Sequence, residues 1–324
     1  MKLGLYLNLY GRRAQGVLPE IVEQAKLAEE AGFDWLVLGE RHLYKPAYHE
    51  VLTTMAYLAA HTERIGITTA GIIAPLYNPV LLAEQTAHID VLSEGRLILG
   101  VVLGYRPEEF DLYGVPIKQR VGRFVENVEL IKRLWRGETV THGGKYHSLN
   151  EAFIAPTPLQ TPRPRIWNGA RADAAIARTA LLCDAWTTSF NETRADLPKK
   201  IEFYRNCAGG DDTLGREVIV CREGFSASNS QDARAALEGP LSQLYSAYTG
   251  WKRTSVDQTR YTDPWDEIVD RSVIGSPQEC LEALSGYTAM GVDGAILRIQ
   301  APGMPHTDAM KAIASFGENV IPGL

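Results

Sequence analysis

Ile65-Gly-Ile-Thr-Thr-Ala-Gly-Ile-Ile-Ala74 and Leu97-Ile-Leu-Gly-Val-Val-Leu103 are two unbroken apolar runs, rich in β-branched residues, with one helix-length segment between them. A strand of a parallel sheet is buried on both faces and so reads as a continuous run rather than an alternation. Pro75 ends the first run, and Pro79 stands where a first-turn proline belongs. Leu81, Leu82, Gln85, His88, Ile89 and Leu92 then mark one helical face, which closes at Ser93-Glu-Gly95. Two buried strands joined by so compact a crossover form a βαβ unit.

Working outward, further strands are expected at Leu3–Leu7, Trp35–Leu38, Arg165–Trp167, Ala185–Thr188, Val218–Cys221 and Gly294–Ile299, which makes eight in all. Helical patterns lie between them at Leu18–Ala31, His49–His61, Val80–Leu92, Arg120–Trp135, Ala172–Leu182 and Leu197–Asn206. A long polar-apolar stretch from Asp232 to Tyr287 and a last helix at Met310–Val320 follow. Eight strands alternating with eight helices give an α/β fold, a closed (β/α)8 TIM barrel, with an open doubly wound sheet as the alternative that uses the same alternation.

Two segments interrupt the spacing, as insertions after the fourth and seventh strands: a short hairpin at Thr139–Leu149, and Gly239–Arg271, which carries Trp251, Tyr261 and Trp265 and reads as a lid. Pro156, Pro158, Pro162 and Pro164 make an extended connector inside the domain, because the alternation resumes after it. The expected organisation is one domain over residues 1–324, a normal length for such a barrel.

A net charge of −6 gives no electrostatic reason for a nucleic-acid partner. No apolar run approaches a bilayer span and no signal-peptide pattern is present, so a cytoplasmic protein is expected. Cys183, Cys207, Cys221 and Cys280 are far apart and read as structural thiols. His142 and His147 flank the Gly143-Gly144 turn without companions at ligand spacing, so no metal is expected there.

In a TIM barrel the chemistry sits at the C-terminal ends of the strands. Asn8 and Tyr10 follow the first strand, Gly104, Tyr105 and Arg106 the fourth, Thr188 and Ser189 the sixth, Glu223 the seventh, and Arg298 and Gln300 the eighth. After the second strand come Glu40, Arg41 and His42, the densest titratable cluster at any strand end: a histidine able to give a proton near neutral pH beside a carboxylate able to orient it. Asn168, Gly169, Ala170 and Arg171 end the fifth strand and open a helix, where backbone N–H groups and an arginine suit an anion such as phosphate. No Gly-x-Ser-x-Gly elbow, P-loop or Gly-x-Gly-x-x-Gly turn occurs, which disfavours serine hydrolysis, nucleotide triphosphate chemistry and a Rossmann site.

The ordered set Ala31-Gly-Phe-Asp34, Gly39-Glu-Arg-His42, Asn78-Pro-x-x-x-Ala-Glu-Gln85, Ile89-Asp, Leu92-Ser-x-Gly-Arg96, Glu109-Phe, Gly114-Val-Pro, Arg120-x-x-Arg123-x-x-Glu126, Pro156-x-Pro-x-Gln160, Ile166-Trp-x-Gly169, Gly275-Ser-Pro-Gln-Glu279 and Ala289-x-Gly-Val-Asp293 resembles the bacterial-luciferase-like family of flavin-dependent oxidoreductases. The resemblance implies a barrel with flavin at its C-terminal mouth and a cis peptide at Ala70-Gly71 against the flavin ring. It implies a phosphate site at Gly169, Ala170 and Arg171, and places His42 at the second histidine of the family's Glu-His-His pattern. Arg41 replaces the first of those histidines, and Leu103 stands where luciferase has an arginine for the flavin phosphate.

The expected function is then that of a monooxygenase that takes reduced FMN from a separate flavin reductase and uses dioxygen to oxidise a small organic substrate. His42 and Glu40 are the catalytic pair in this reading, Tyr105 and Arg106 line the mouth, and the protein is a homodimer. A deazaflavin-dependent hydride-transfer enzyme and a non-catalytic flavin-binding protein are the alternatives.

Overall fold

The computed structural model describes residues 1–9, 14–43, 49–249 and 264–324. Its strands are β1 (Lys2–Tyr6), β2 (Trp35–Leu38), β3 (Gly66–Thr69), β4 (Ile72–Ile73), β5 (Leu97–Val102), β6 (Val140–Gly143), β7 (Ser148–Ala152), β8 (Arg165–Gly169), β9 (Ala185–Thr187), β10 (Glu217–Ser226), β11 (Val273–Gly275) and β12 (Gly294–Arg298). Parallel pairing runs β12-β1-β2-β3-β5-β8-β9, and β10 joins β9 to β12 and closes the ring. This is the eight-stranded barrel expected from the alternation, with β4 continuing β3 along β5. Closure excludes the open sheet.

Alternation along each strand sorts the apolar residues into two layers. Leu3, Leu5, Leu36, Leu38, Leu97 and Leu99 belong to the large cluster that packs the sheet against its helices. Tyr6, Trp35, Val37, Trp167, Ile219, Cys221 and Ile296 form the second cluster, inside the barrel. Trp35 fits there because strand neighbours lack side chains: a Cβ at Gly66 would lie 2.8 Å from its ring, and one at Gly294 would lie 3.0 Å away. Trp167 meets it edge-on, with ring centroids 4.7 Å apart.

The third strand carries an extra residue. Thr68 pairs with Ile98 and Ile72 with Val101, so four steps of one strand face three of the other, the count of a β-bulge. The bulge is possible because Gly100 has no side chain: a Cβ there would come within 1.6 Å of the Thr69 carbonyl oxygen. Thr69 Oγ1 in turn donates to the Gly100 carbonyl at 2.6 Å.

The proline-rich connector before β8 contains cis Ala155–Pro156 and Thr161–Pro162 bonds. It ends at Arg163, which is fully buried and forms a fork with Asp184, its Nη1 at 2.7 Å and its Nη2 at 2.9 Å from the two carboxylate oxygens. The Asp184 carboxylate also accepts the N–H groups of Ile166 and Leu214, both at 2.6 Å. A buried carboxylate is tolerable only with such full satisfaction.

The structure corrects several boundaries. The seventh barrel strand, β10, runs from Glu217 to Ser226, well past Cys221, because its outer end pairs with β11 after leaving β12. The last helix starts at His306 rather than Met310, and the first helix at Ala14 rather than Leu18. A six-residue helix, Pro107–Leu112, was not expected; it is too short to show a period. The hairpin after the fourth strand is present as β6 and β7, ending at Ala152. Of the expected lid, residues 239–249 belong to helix Ser230–Thr249 and residues 265–270 to helix Trp265–Asp270. Residues 250–263, with Trp251 and Tyr261, lie outside the described residues, as does Tyr10. Among the described residues, no helix is long and apolar enough to cross a membrane.

Candidate active site at the barrel mouth

Parallel strands bring their C-terminal ends to one face, so β2, β3, β5 and β8, adjacent in that order, carry the sequence-selected residues along one side of the mouth. Glu40 follows β2 and turns toward the next strand. Its Oε2 accepts the Ile73 N–H at 2.6 Å, and its Oε1 accepts the hydroxyl of Tyr77. The carboxylate is almost fully buried, at 4% exposure, and its ties fix it just beyond the Ala70–Gly71 peptide, which is cis.

His42 Nε2 lies 3.4 Å from Glu40 Oε1. Its Nδ1 is 3.0 Å from the Tyr113 hydroxyl, and the two rings meet edge to face. Burial disfavours the charged imidazole, but the contact with Glu40 and the charges of Glu40, Glu109 and Glu50 outweigh it, and the His42 pKa is raised. Burial first, and then the Glu40 charge, hold both Tyr77 and Tyr113 above the usual phenol range, so both hydroxyls stay protonated. The cluster therefore favours the protonated imidazole of His42 more than water does.

Sequence reasoning selected Glu40 and His42 but not Tyr77, Glu109 or Tyr113. Glu109 is buried at 3% exposure and accepts the His42 backbone N–H at 3.1 Å. The available signal was a carboxylate inside the Glu109-Phe motif, where a surface role would not call for a fixed neighbour. Arg41 is only partly exposed. Leu103, in place of an arginine, packs on the main core.

Gly104 has φ +71, and a Cβ on it would collide with Ile73 at 2.6 Å, so it lets the chain turn off β5 against β4. Tyr105 is half-buried, whereas Arg106 pairs with Glu109 at 3.1 Å. At the end of β8, Asn168 is a strut: it is buried and its Nδ2 donates to Thr179 Oγ1 at 2.7 Å, tying strand to helix. Gly169 and Ala170 follow, with the Ala170 carbonyl taken by Trp186 Nε1 at 2.9 Å. Helix Asp173–Leu182 then follows Ala172, and no side chain caps its first turn beside Arg171. Lys200 Nζ reaches the Arg171 carbonyl at 3.3 Å, but its charge is already paired with the buried Glu192 carboxylate at 2.7 Å.

On the opposite side of the mouth, Arg298 makes two hydrogen bonds to Glu223, lies 4.2 Å above the Phe190 ring and leaves Tyr245 to donate to Glu223 at 2.6 Å. The sequence marked Glu223 and Arg298 separately; their pairing required the adjacency of β10 and β12. Burial pushes the thiols of Cys183, Cys221 and Cys280 up to about 12, which suits packing rather than nucleophilic attack. His142 pairs with Glu126 at 3.1 Å, and among the described residues no group of three or more His, Cys, Asp and Glu side chains could hold a metal.

A family model described as "Luciferase-like monooxygenase" matches residues 5–294. The chain is 26% identical over 295 residues to the oxygenase component of a flavin-dependent trigonelline monooxygenase from Acinetobacter baylyi, covering 85% of this chain and 81% of that protein. It is 27% identical over 326 residues to an F420-dependent glucose-6-phosphate dehydrogenase from Amycolatopsis mediterranei, covering 94% of each. The crystal structure of monooxygenase RslO1 from Streptomyces bottropensis superposes with a TM-score of 0.86 at 25% identity, over 99% of both chains.

Proposed function

The chain belongs to the luciferase-like monooxygenase family, whose characterised relatives divide between reduced-FMN monooxygenases and F420-dependent dehydrogenases, and from that premise we propose that it is the oxygenase of a two-component system. It would take reduced FMN from a separate flavin reductase and oxidise a small organic molecule with dioxygen. The observation that carries this reading is His42, held 3.4 Å from the buried Glu40 carboxylate with its pKa raised, because oxygen transfer needs a proton delivered at the site.

The residues present suit a reduced flavin. Ala70 packs on the inner cluster, so the Ala70–Gly71 peptide borders the barrel interior, where a planar ring could rest. The helix start after Ala172, which no side chain caps, together with Arg171 suits a phosphate. Asn191 adds a buried amide N–H without a partner, among the described residues, beyond the sixth barrel strand. When bound, reduced flavin supplies the electrons for oxygen activation. The chain's own residues then do the rest: the His42 imidazole gives a proton, and Glu40 stabilises its charged form.

The F420-dependent relatives, matched over nearly their whole length, support a second reading, hydride transfer with a deazaflavin. Anaerobic binding of reduced FMN and of reduced deazaflavin, followed by turnover of a substrate panel with and without dioxygen, separates the two. Preferential binding of reduced FMN and dioxygen-dependent product are expected. Turnover undiminished without dioxygen would overturn the monooxygenase reading.

A further inference from the structure

His42 is gripped at three points by one short stretch of chain. Its backbone N–H donates to Glu109 Oε1 at 3.1 Å, its carbonyl accepts from Arg106 Nη1 at 3.0 Å, and its ring Nδ1 meets the Tyr113 hydroxyl at 3.0 Å. Arg106 and Glu109 also bond each other at 3.1 Å, so the two backbone contacts share one ion pair. We propose that the segment Arg106–Tyr113 is a clamp that fixes the His42 imidazole, and that Tyr113 is the positioning residue that selects its ring orientation. The proposal rests on the reading of His42 as proton donor and names what makes that donor competent.

A histidine keeps a freedom that fixing its backbone does not remove. Rotation about its second side-chain torsion is broad and roughly two-fold, so the ring still has two orientations of similar energy. In one, Nδ1 faces Tyr113 and Nε2 faces the buried Glu40; in the other, carbon atoms take those places and both hydrogen-bonding partners lose their nitrogen. Tyr113 breaks the tie. Tyr113 is 48% exposed, so the core gains little from it, while its hydroxyl and ring edge both meet His42. His42 Nε2 is itself buried and lies 3.4 Å from Glu40 Oε1, so the orientation that Tyr113 selects is the one that keeps this nitrogen against the carboxylate.

Among the described residues, the charged and titratable groups near His42 are Glu40 and Tyr77 from the barrel side, Arg106, Glu109 and Tyr113 from the clamp, and Glu50 at the start of helix Val51–Ala59. Of these, only Tyr113 touches Nδ1 among the described residues. Removing its hydroxyl therefore changes the ring without changing the charges around it.

The test is a ¹⁵N-histidine ring titration of the full-length protein, with the His42 signals assigned by their loss in His42→Gln. Tyr113→Phe keeps the aromatic ring and preserves packing, which its melting temperature checks. The expected result is a fall of the His42 midpoint by about half to one pH unit, with a changed Nδ1 shift, since one hydrogen bond to the charged ring is lost. A midpoint and Nδ1 shift identical to those of the parent protein would overturn the clamp. Glu109→Gln provides the second arm: it is expected to broaden or split the His42 signals by loosening the backbone, and sharp unchanged signals would also count against the proposal. Turnover of His42→Gln is measured separately, so a failure of the proton-donor reading leaves the titration as an independent test of the clamp.

Discussion

Glu40 Oε2 accepts the N–H of Ile73 at 2.6 Å, so a carboxylate from the end of one barrel strand holds the chain of the next just past its bulge. The same carboxylate takes the Tyr77 hydroxyl and faces His42. Glu40→Gln removes the charge and exchanges one acceptor for a donor. It is expected to cost about 1–3 kcal/mol in urea unfolding, the range for losing charged hydrogen bonds in a buried setting. The His42 midpoint is expected to fall as well. An unchanged midpoint would show that Glu40 does not govern His42.

The raised pKa of His42 makes a signed statement about stability. A group whose folded pKa lies above its unfolded value, here 6.5, contributes stability that is complete below that value and disappears as pH rises through the folded pKa. The unfolding free energy of the parent minus that of His42→Gln, measured from about pH 5 to about pH 9, should therefore decline with rising pH. Glu29 supplies the opposite sign. Burial would raise its pKa, but the N–H groups of Ile65, Arg64 and Glu63 bind its carboxylate and lower it below 4.5. Its contribution should be present above that value and vanish on acidification, so Glu29→Gln should differ most from the parent near neutral pH. A flat difference in either series contradicts the assigned interaction.

Gly100→Ala tests the bulge. The added Cβ would lie 1.6 Å from the Thr69 carbonyl oxygen, and backbone cannot yield as a flexible side chain does. A loss of about 3 kcal/mol or more, or failure to accumulate as folded protein, is expected. Val101→Ala, on the same strand, should instead show an ordinary core deletion with the fold retained. Near-normal stability of Gly100→Ala would mean that the third and fourth barrel strands can separate without loss.

How much of this was legible in the sequence depends on the range of the interaction. The two runs around Ile65–Ala74 and Leu97–Leu103 announced buried parallel strands because burial on both faces leaves a local signature. Glu40 and His42 were legible because the fold assigns chemistry to strand ends. Tyr113 was not: it meets His42 across 71 residues, and a half-exposed tyrosine after a six-residue helix carries no periodic signal. The same holds for Glu223 and Arg298, 75 residues apart, whose pairing depends on which strands end up adjacent. Local pattern gives elements and their ends; side-chain networks between elements need the register.

The fork between Arg163 and Asp184 yields the largest expected effect away from the mouth. Both side chains are fully buried, so Arg163→Met leaves the Asp184 charge without its main partner in a site closed to water. Two backbone N–H groups, of Ile166 and Leu214, would still bind it, but they cannot neutralise it. A cost of about 3–5 kcal/mol is expected, the range for breaking a buried pair from one side. Asp184→Asn alone should also be costly, because it removes the guanidinium's buried counter-charge, leaving it the Pro164 and Asp212 carbonyls and a 3.8 Å contact with the Asp212 carboxylate, and weakens both backbone contacts. The double variant should recover part of the loss, since neither charge is then left alone. A urea double-mutant cycle measures this directly, and additive single losses would show that the two side chains act independently despite their 2.7 Å contact.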